Sequence, residues 1–166
     1  MRVLGIDPGL QVCGYGCLDV SGGIYNLVEA GVLKTDSSAA IEVKLNSIAE
    51  DIKQILGKLS PEVVAVEELY SHYAHPRTAI LMGHARGVIL QKCAEAGIEV
   101  RSFSATRIKK SVTGNGRASK EQVQRSVQSI LGLSEMPEPA DVADAIAAAF
   151  CCGDSVRNSA ILTGEK

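Results

Sequence analysis

The chain has 166 residues, of which 46% are apolar and 22% charged; this is the length of one domain with the composition of a soluble globular fold, which excludes wholesale disorder. The formal net charge of −2 hides an asymmetry, because the segment 101–125 carries seven Lys or Arg against one acid, whereas the rest of the chain has a net charge of −8. No apolar run reaches the roughly 20 residues that span a bilayer, and the apolar stretch at the N-terminus is too short for a signal peptide, so we expect a cytoplasmic protein with no membrane partner.

The first half of the chain predicts three strands, a helix and a fourth strand. Residues 3–6 form a short apolar run, and the strand candidates 12–20 and 24–33 are joined by a glycine-rich turn, as in a hairpin. Apolar residues at three- and four-residue spacing over 41–59 predict a helix with one buried face. The continuously apolar run 63–66 is typical of a strand covered on both faces of a sheet.

The second half of the chain predicts mainly helices. The expected elements are a helix at 77–95, a strand at 98–103, a helix that begins near Ser119 and a helix from Asp141 to about Cys152. This order predicts an α/β fold, a mixed sheet of about five strands flanked by helices on both faces, with right-handed crossovers between its parallel strands. We expect residues 1–153 to form a single domain and residues 154–166 to form a flexible tail.

Four acidic residues stand out by their positions. Asp7 ends the first predicted strand and Glu67 ends the fourth; if these strands are parallel neighbours, both carboxylates lie at the sheet edge where α/β proteins place their sites. Asp141 and Asp144 are three residues apart on a helix rich in alanine, so they share a face. Such a set can hold two divalent cations through oxygen ligands, and two metal ions suit the in-line hydrolysis of a phosphodiester bond.

Each acid alone also has a structural explanation. Asp7 can belong to a turn, Glu67 can be a solvated strand end, and Asp141 suits the first turn of a helix. Asp144 lies deeper in its helix, where the helix dipole explains an acidic residue less well. The convergence of all four acids favours a metal site. Glu68 is acidic too, but strand alternation lets only one of the two neighbours point into the site, and we assign that position to Glu67.

These residues resemble, in order and spacing, the RuvC family of Holliday-junction resolvases over about residues 2–153. The motifs that carry the resemblance are Gly5-Ile6-Asp7-Pro8-Gly9, Ala65-Val66-Glu67-Glu68, Gly83-His84-Ala85-Arg86-Gly87 and Asp141-Val142-Ala143-Asp144-Ala145. The resemblance implies a ribonuclease H-like nuclease domain and a homodimer that cuts four-way DNA junctions by paired symmetric nicks during recombination and repair. It implies two Mg²⁺ ions per site, with Mn²⁺ as a possible substitute, held by the four catalytic carboxylates. RuvA and RuvB, the branch-migration proteins, are the partners that it implies.

The same resemblance assigns three further residues to DNA binding. Tyr70 matches an aromatic position that stacks on bases near the junction centre; the alternative is a core or hinge residue. Lys109 and Lys120 match basic positions that face the junction, against the alternative of a solvated charged face. Gly83 and Gly87 lie four apart on one helix face, which permits close approach either to the sheet or, as the family implies, to a second copy.

Three other functions fit part of the pattern. An actin-like ATPase would use the Asp7-Pro8-Gly9 turn as a phosphate loop, but 166 residues are too few for its two lobes, and the third and fourth acids would be unexplained. A non-catalytic junction binder would gain from losing negative charge near phosphates, yet all four carboxylates are present. A nuclease acting on RNA is the subtlest rival, and Tyr70 with the basic segment favours branched DNA.

Overall fold

The computed structural model describes residues 1–69 and 76–163, and it contains one mixed sheet of five strands in the order β3-β2-β1-β4-β5. The strands are β1 (Arg2–Asp7), β2 (Val12–Ser21), β3 (Ile24–Lys34), β4 (Val63–Glu67) and β5 (Glu99–Phe103). The first three are antiparallel, whereas β4 runs parallel to β1 and β5 runs parallel to β4. The predicted mixed sheet of five strands is therefore confirmed, and the first and fourth strands are parallel neighbours, the condition for Asp7 and Glu67 to lie at one edge.

Helices cover both faces of the sheet. They are α1 (Ile41–Leu59), α2 (Pro76–Glu95), α3 (Ala105–Thr113), α4 (Lys120–Leu131) and α5 (Ala140–Thr163). Helices α1 and α2 bury Ile52 and Ile89 in one core with Leu4 of β1, and α3, α4 and α5 share the opposite core with Val3. Among the described helices, none combines the length and the apolarity needed to cross a membrane.

The side-chain alternation of β4 decides which face carries its terminal acid. Val63 and Ala65 belong to the core on the α5 face, whereas Val64 and Val66 belong to the core beneath α1 and α2. Because side chains alternate along a strand, Glu67 continues the series that faces α5. Its neighbour Glu68 is exposed.

Glycines let the last helix lie directly against the centre of the sheet. A Cβ on Gly5 of β1 would overlap the carbonyl oxygen of Ala145 and lie 2.6 Å from the backbone nitrogen of Ala149. A Cβ on Gly14 of β2 would overlap the carbonyl oxygen of Asp141. Since Gly14 is the register partner of Asp7, this packing places the start of α5 beside the end of β1.

Two helix predictions need correction. The last helix does not end at about Cys152 but continues to Thr163, into the segment predicted to be a tail. Gly153 lies inside this helix, where a Cβ would be 2.9 Å from the Tyr25 ring, so close packing against β3 accounts for this glycine. Helix α3, whose N-cap is Ser104, was not predicted, because the basic residues of this segment were interpreted only as a binding surface. The predicted start of α4 is confirmed by a capping box between Ser119 and Gln122.

Candidate active site and nucleic-acid interface

A cleft of about 400 Å³ opens where β1 and β4 end. Six of the seven residues predicted for the site line it: Asp7, Glu67, Lys109, Lys120, Asp141 and Asp144. The seventh, Tyr70, lies outside the described residues. The chain positions that meet in this cleft are far apart in sequence, so the fold itself, rather than a local motif, brings acids and bases together.

Crowding and burial perturb the carboxylates of this cleft. Burial, together with the negative charges of Glu67, Asp144 and Asp141, raises the pKa of Asp7 to about 8, against the opposing effect of Lys120. Burial likewise raises the pKa of Glu67, with Asp144 adding to the shift. The site therefore holds more negative charge than its own cations neutralise.

Lys120 is the cation held against the acids of α5. Its Nζ lies 3.4 Å from Asp144 Oδ2 and 4.0 Å from Asp141 Oδ1. Burial lowers the pKa of Lys120, but the nearby carboxylates outweigh that effect and leave the pKa raised, so the ammonium stays charged. Lys120 is the first residue of α4 and lies inside the capping box formed by Ser119 and Gln122, which fixes where its backbone lies. Lys109, from α3, lowers the pKa of Glu67 from another part of the cleft lining.

The carboxylates suit a hard divalent cation by their chemistry. All four are oxygen donors, the ligand type that Mg²⁺ and Mn²⁺ prefer. Burial and then the neighbouring carboxylates raise the pKa of Asp7, and a bound cation would offset the negative charge that contributes to this shift. In the described part of the chain, no three acidic, histidine or cysteine side chains form a ready-made metal-holding group. By the chemistry of their donor atoms, the four residues nonetheless fit a divalent cation.

Arg86 is a site neighbour whose importance sequence reasoning missed, although it lies within one of the quoted motifs. From α2, its Nε donates a hydrogen bond of 3.1 Å to the main-chain carbonyl of Glu67. Its Nη2 donates a hydrogen bond of 2.7 Å to Ser102 Oγ on β5. An arginine on a predicted helix gives no sign of which carbonyl it will reach, so only the tertiary structure could show this contact.

The raised pKa of Asp7 predicts a pH-dependent stability in the absence of metal. Because the pKa in the fold, about 8, exceeds the ordinary value of 3.8, the stabilising contribution is complete below about pH 4 and is lost as pH rises through about 8. In EDTA, we expect Asp7→Asn to unfold at a higher temperature than the wild type at pH 9, by a wider margin than at pH 5. Thermal unfolding of both proteins checks this. An equal margin at both pH values would contradict it.

A mixed five-stranded sheet in this order, with carboxylates at the ends of β1 and β4 and on the helix packed across them, defines the ribonuclease H-like class of folds. The family model described as "Crossover junction endodeoxyribonuclease RuvC" matches residues 3–152. The chain belongs to the RuvC family. The resemblance seen in the four sequence motifs is thereby confirmed.

Individual relatives agree over nearly the full length. The crossover junction endodeoxyribonuclease RuvC of Rhodopirellula baltica is 47% identical over 149 residues, which are 90% of this chain and 84% of that protein. The RuvC of Heliobacterium modesticaldum is 42% identical over 156 residues, covering 94% of this chain and 96% of that protein. A solved structure of T. thermophilus RuvC in complex with Holliday junction substrate has a TM-score of 0.89 at 34% identity and covers 96% of both chains.

Proposed function

We propose that residues 1–153 form a divalent-metal-dependent endonuclease domain that resolves four-way DNA junctions by paired symmetric nicks. The observation that carries this proposal is the cleft in which acids from β1, β4 and α5 meet two lysines from α3 and α4. Membership of the RuvC family supports it. So does the likeness to a RuvC structure that contains a Holliday junction substrate.

The four carboxylates would hold the metal, with Asp7 and Glu67 at strand ends and Asp141 and Asp144 on the helix. Bound Mg²⁺ or Mn²⁺ would activate a water molecule and stabilise the leaving oxygen of the phosphodiester bond. Lys120, held at 3.4 Å from Asp144, places a second kind of positive charge in the same cleft, where it can donate to a phosphate oxygen. The acids thus bind cations, while the lysine offsets charge on the DNA.

We infer DNA binding from the basic segment 101–125, which forms the end of β5, α3, the following loop and the first half of α4. Lys109 and Lys120 line the cleft itself, so phosphate contacts there would bring the backbone of the DNA to the carboxylates. Tyr70 would stack on bases at the junction centre, as the family implies. Association with RuvA and RuvB and a cytoplasmic location are proposed on the same basis.

Helix α2 is the surface that we propose for the homodimer. Gly83 has an ordinary contact within the chain, since a Cβ there would lie 3.7 Å from Leu69 Cδ1, but no described atom lies within 4 Å of a Cβ on Gly87. A glycine inside a helix costs about 1 kcal/mol relative to alanine. Gly87 and the side chain of Ile80, which is 60% exposed, lie seven residues apart and so on one face of α2. The family resemblance points to this helix, where a second copy would cover both residues, and a two-fold dimer suits a junction cut at two symmetric points.

A charge on this helix should therefore separate the subunits. We expect Ile80→Glu to turn the protein into a monomer at micromolar concentration and to abolish paired nicking, while the fold is kept because the position is exposed. Light scattering after size-exclusion chromatography measures the mass. Ile24→Glu, at a position that is 65% exposed on β3, is the matched control and should remain dimeric. A dimeric Ile80→Glu protein would contradict this assignment of the dimer face.

The proposed function is tested with the wild-type protein on a labelled mobile four-way DNA junction. We expect symmetric paired nicks with Mg²⁺, none with EDTA, and no cutting of a matched DNA duplex or of an RNA junction. Binding without cutting, across metals and several junction sequences, would favour a non-catalytic binder. Preferential cutting of the RNA junction would favour the RNA nuclease.

A further inference from the structure

The peptide unit between Glu67 and Glu68 is held at both of its polar groups. Its carbonyl oxygen, from Glu67, accepts the 3.1 Å hydrogen bond from Arg86 Nε. Its N–H, from Glu68, donates a 2.9 Å hydrogen bond to the carbonyl of Phe103 on β5. Fixing both ends of this plane fixes the backbone at Glu67 and with it the direction in which the Glu67 side chain leaves the strand.

The sheet alone does not supply the first of these two bonds. Pairing between β1 and β4 ends with Ile6 opposite Val66, one residue before Glu67, and the chain leaves β1 through Pro8, which has no N–H to donate. A buried or half-buried carbonyl without a donor costs free energy. Arg86 provides that donor from outside the sheet.

Arg86 is well placed to act as a fixed anchor. The residue before it, Ala85, and the residue three positions on, Ile89, are fully buried in the core under α2. Its guanidinium spans two neighbouring strands at once, with Nε on β4 and Nη2 on Ser102 of β5. A lysine ammonium, a single point on a flexible stem, cannot reproduce this fork.

We propose that Arg86 is a positioning residue, which orients the Glu67 carboxylate toward the cleft by holding the peptide unit that follows it. The inference rests on the proposed function, because it takes Glu67 to be a metal ligand. Groups that orient metal ligands typically change metal affinity or activity about 10- to 100-fold when they are removed. Arg86 would therefore govern how well the site binds its cation, without touching DNA.

The test compares Arg86→Gln with Arg2→Gln. Arg2 begins β1, at the end of the strand opposite to Asp7 and the cleft. Arg2 makes the same kind of double contact, since its Nη1 donates to the Leu59 carbonyl at 3.0 Å and its Nε donates to Asp19 Oδ1 at 2.8 Å. Each variant loses an arginine that hydrogen-bonds to two segments of the chain at once, but only Arg86 contacts a residue of the cleft. Three quantities are measured on the full chain: Mn²⁺ affinity by calorimetry, junction affinity in EDTA, and the single-turnover cleavage rate.

We expect Arg86→Gln to bind Mn²⁺ about 10- to 100-fold more weakly, with junction affinity within about twofold of the wild type. Arg86→Lys should lie between the two, and Arg2→Gln should keep wild-type Mn²⁺ affinity even where its unfolding temperature falls. Ser102→Ala removes only the hydroxyl that accepts from Arg86 Nη2 and should weaken Mn²⁺ binding by about a few-fold. This milder variant replaces Arg86→Gln in the test if Arg86→Gln does not fold.

Wild-type Mn²⁺ affinity in a folded Arg86→Gln protein, or in Ser102→Ala where Arg86→Gln does not fold, would overturn the proposal. An equal loss of affinity in Arg2→Gln would overturn it as well, because the effect would then be general destabilisation. The two hypotheses fail separately. A wild type that binds Mn²⁺ but cuts no junction refutes the proposed function, while the Mn²⁺ affinities of the variants still decide the role of Arg86.

Discussion

Asp7→Asn should lower the rate of junction cleavage by at least about 10³-fold while leaving junction binding intact. Asp7 is the most crowded acid of the cleft, since burial and three other carboxylates raise its pKa to about 8. Asparagine keeps the size of the side chain but removes the charge that attracts a divalent cation, so the metal-dependent step is lost. Binding of the junction in EDTA should be unchanged below about pH 8, where Asp7 is already mostly protonated, and tighter above it, where asparagine removes a negative charge near the DNA phosphates.

The matched control for this change is Glu68→Gln, which removes one carboxylate from the exposed neighbour of Glu67. It should cut at close to the wild-type rate, because strand alternation turns Glu68 away from the α5 face. Single-turnover cleavage and gel-shift binding are measured for the wild type, Asp7→Asn and Glu68→Gln. An active Asp7→Asn enzyme would remove Asp7 from the metal site, and an inactive Glu68→Gln enzyme would reverse the assignment between the two glutamates.

Gly5→Ala should be among the most destabilising single-methyl substitutions in this chain. The added Cβ would overlap the carbonyl oxygen of Ala145 and crowd the nitrogen of Ala149, both main-chain atoms of α5. Main-chain atoms of a helix cannot move away individually, as the end of a flexible side chain can, so the whole of α5 must shift. We expect a loss of about 3 kcal/mol in the free energy of unfolding, at the upper end of overpacking effects. Cleavage should fall as well, because the shift moves Asp141 and Asp144.

Gly57→Ala should raise the free energy of unfolding, whereas Gly5→Ala lowers it. Gly57 lies inside α1, and no described atom is within 4 Å of a Cβ built there. Alanine at such a position removes the helix penalty of glycine, and we expect a gain of about 0.5–1 kcal/mol with no change in cleavage. Urea unfolding of the two variants measures both effects. Equal stabilities would show that α5 does not pack on β1 as closely as described.

Much of the fold was readable from the sequence because its signals are local. The run 63–66 is apolar without interruption, and the strand there is covered on both faces, as such a run predicts. The capping box at Ser119 marked the start of α4 to the residue. The α/β order then left few topologies open, and parallel strands after three antiparallel ones followed from it, although that β4 lies beside β1 was shown only by the structure.

What the sequence could not show depends on contacts between distant residues. Gly153 lies inside α5 because the helix runs close to Tyr25, and no local pattern distinguishes that glycine from a helix end. The bond from Arg86 to the Glu67 carbonyl joins two elements whose spacing is set by the packed core. The placement of six predicted site residues around one cleft was inferable, but the ion pair between Lys120 and Asp144 was not.

The packing of α5 on β1 has a consequence for the protein while it is being made. The ribosome completes β1 long before α5, yet the cleft needs Asp7 from the first strand and Asp141 from the last helix. Contacts that span nearly the whole chain form late, because the intervening segment must be ordered first. A growing chain would therefore carry a half-built cleft that holds neither the full set of acids nor Lys120 in place. The proposed capacity to cut DNA would therefore arise only when the final helix docks on the first strand.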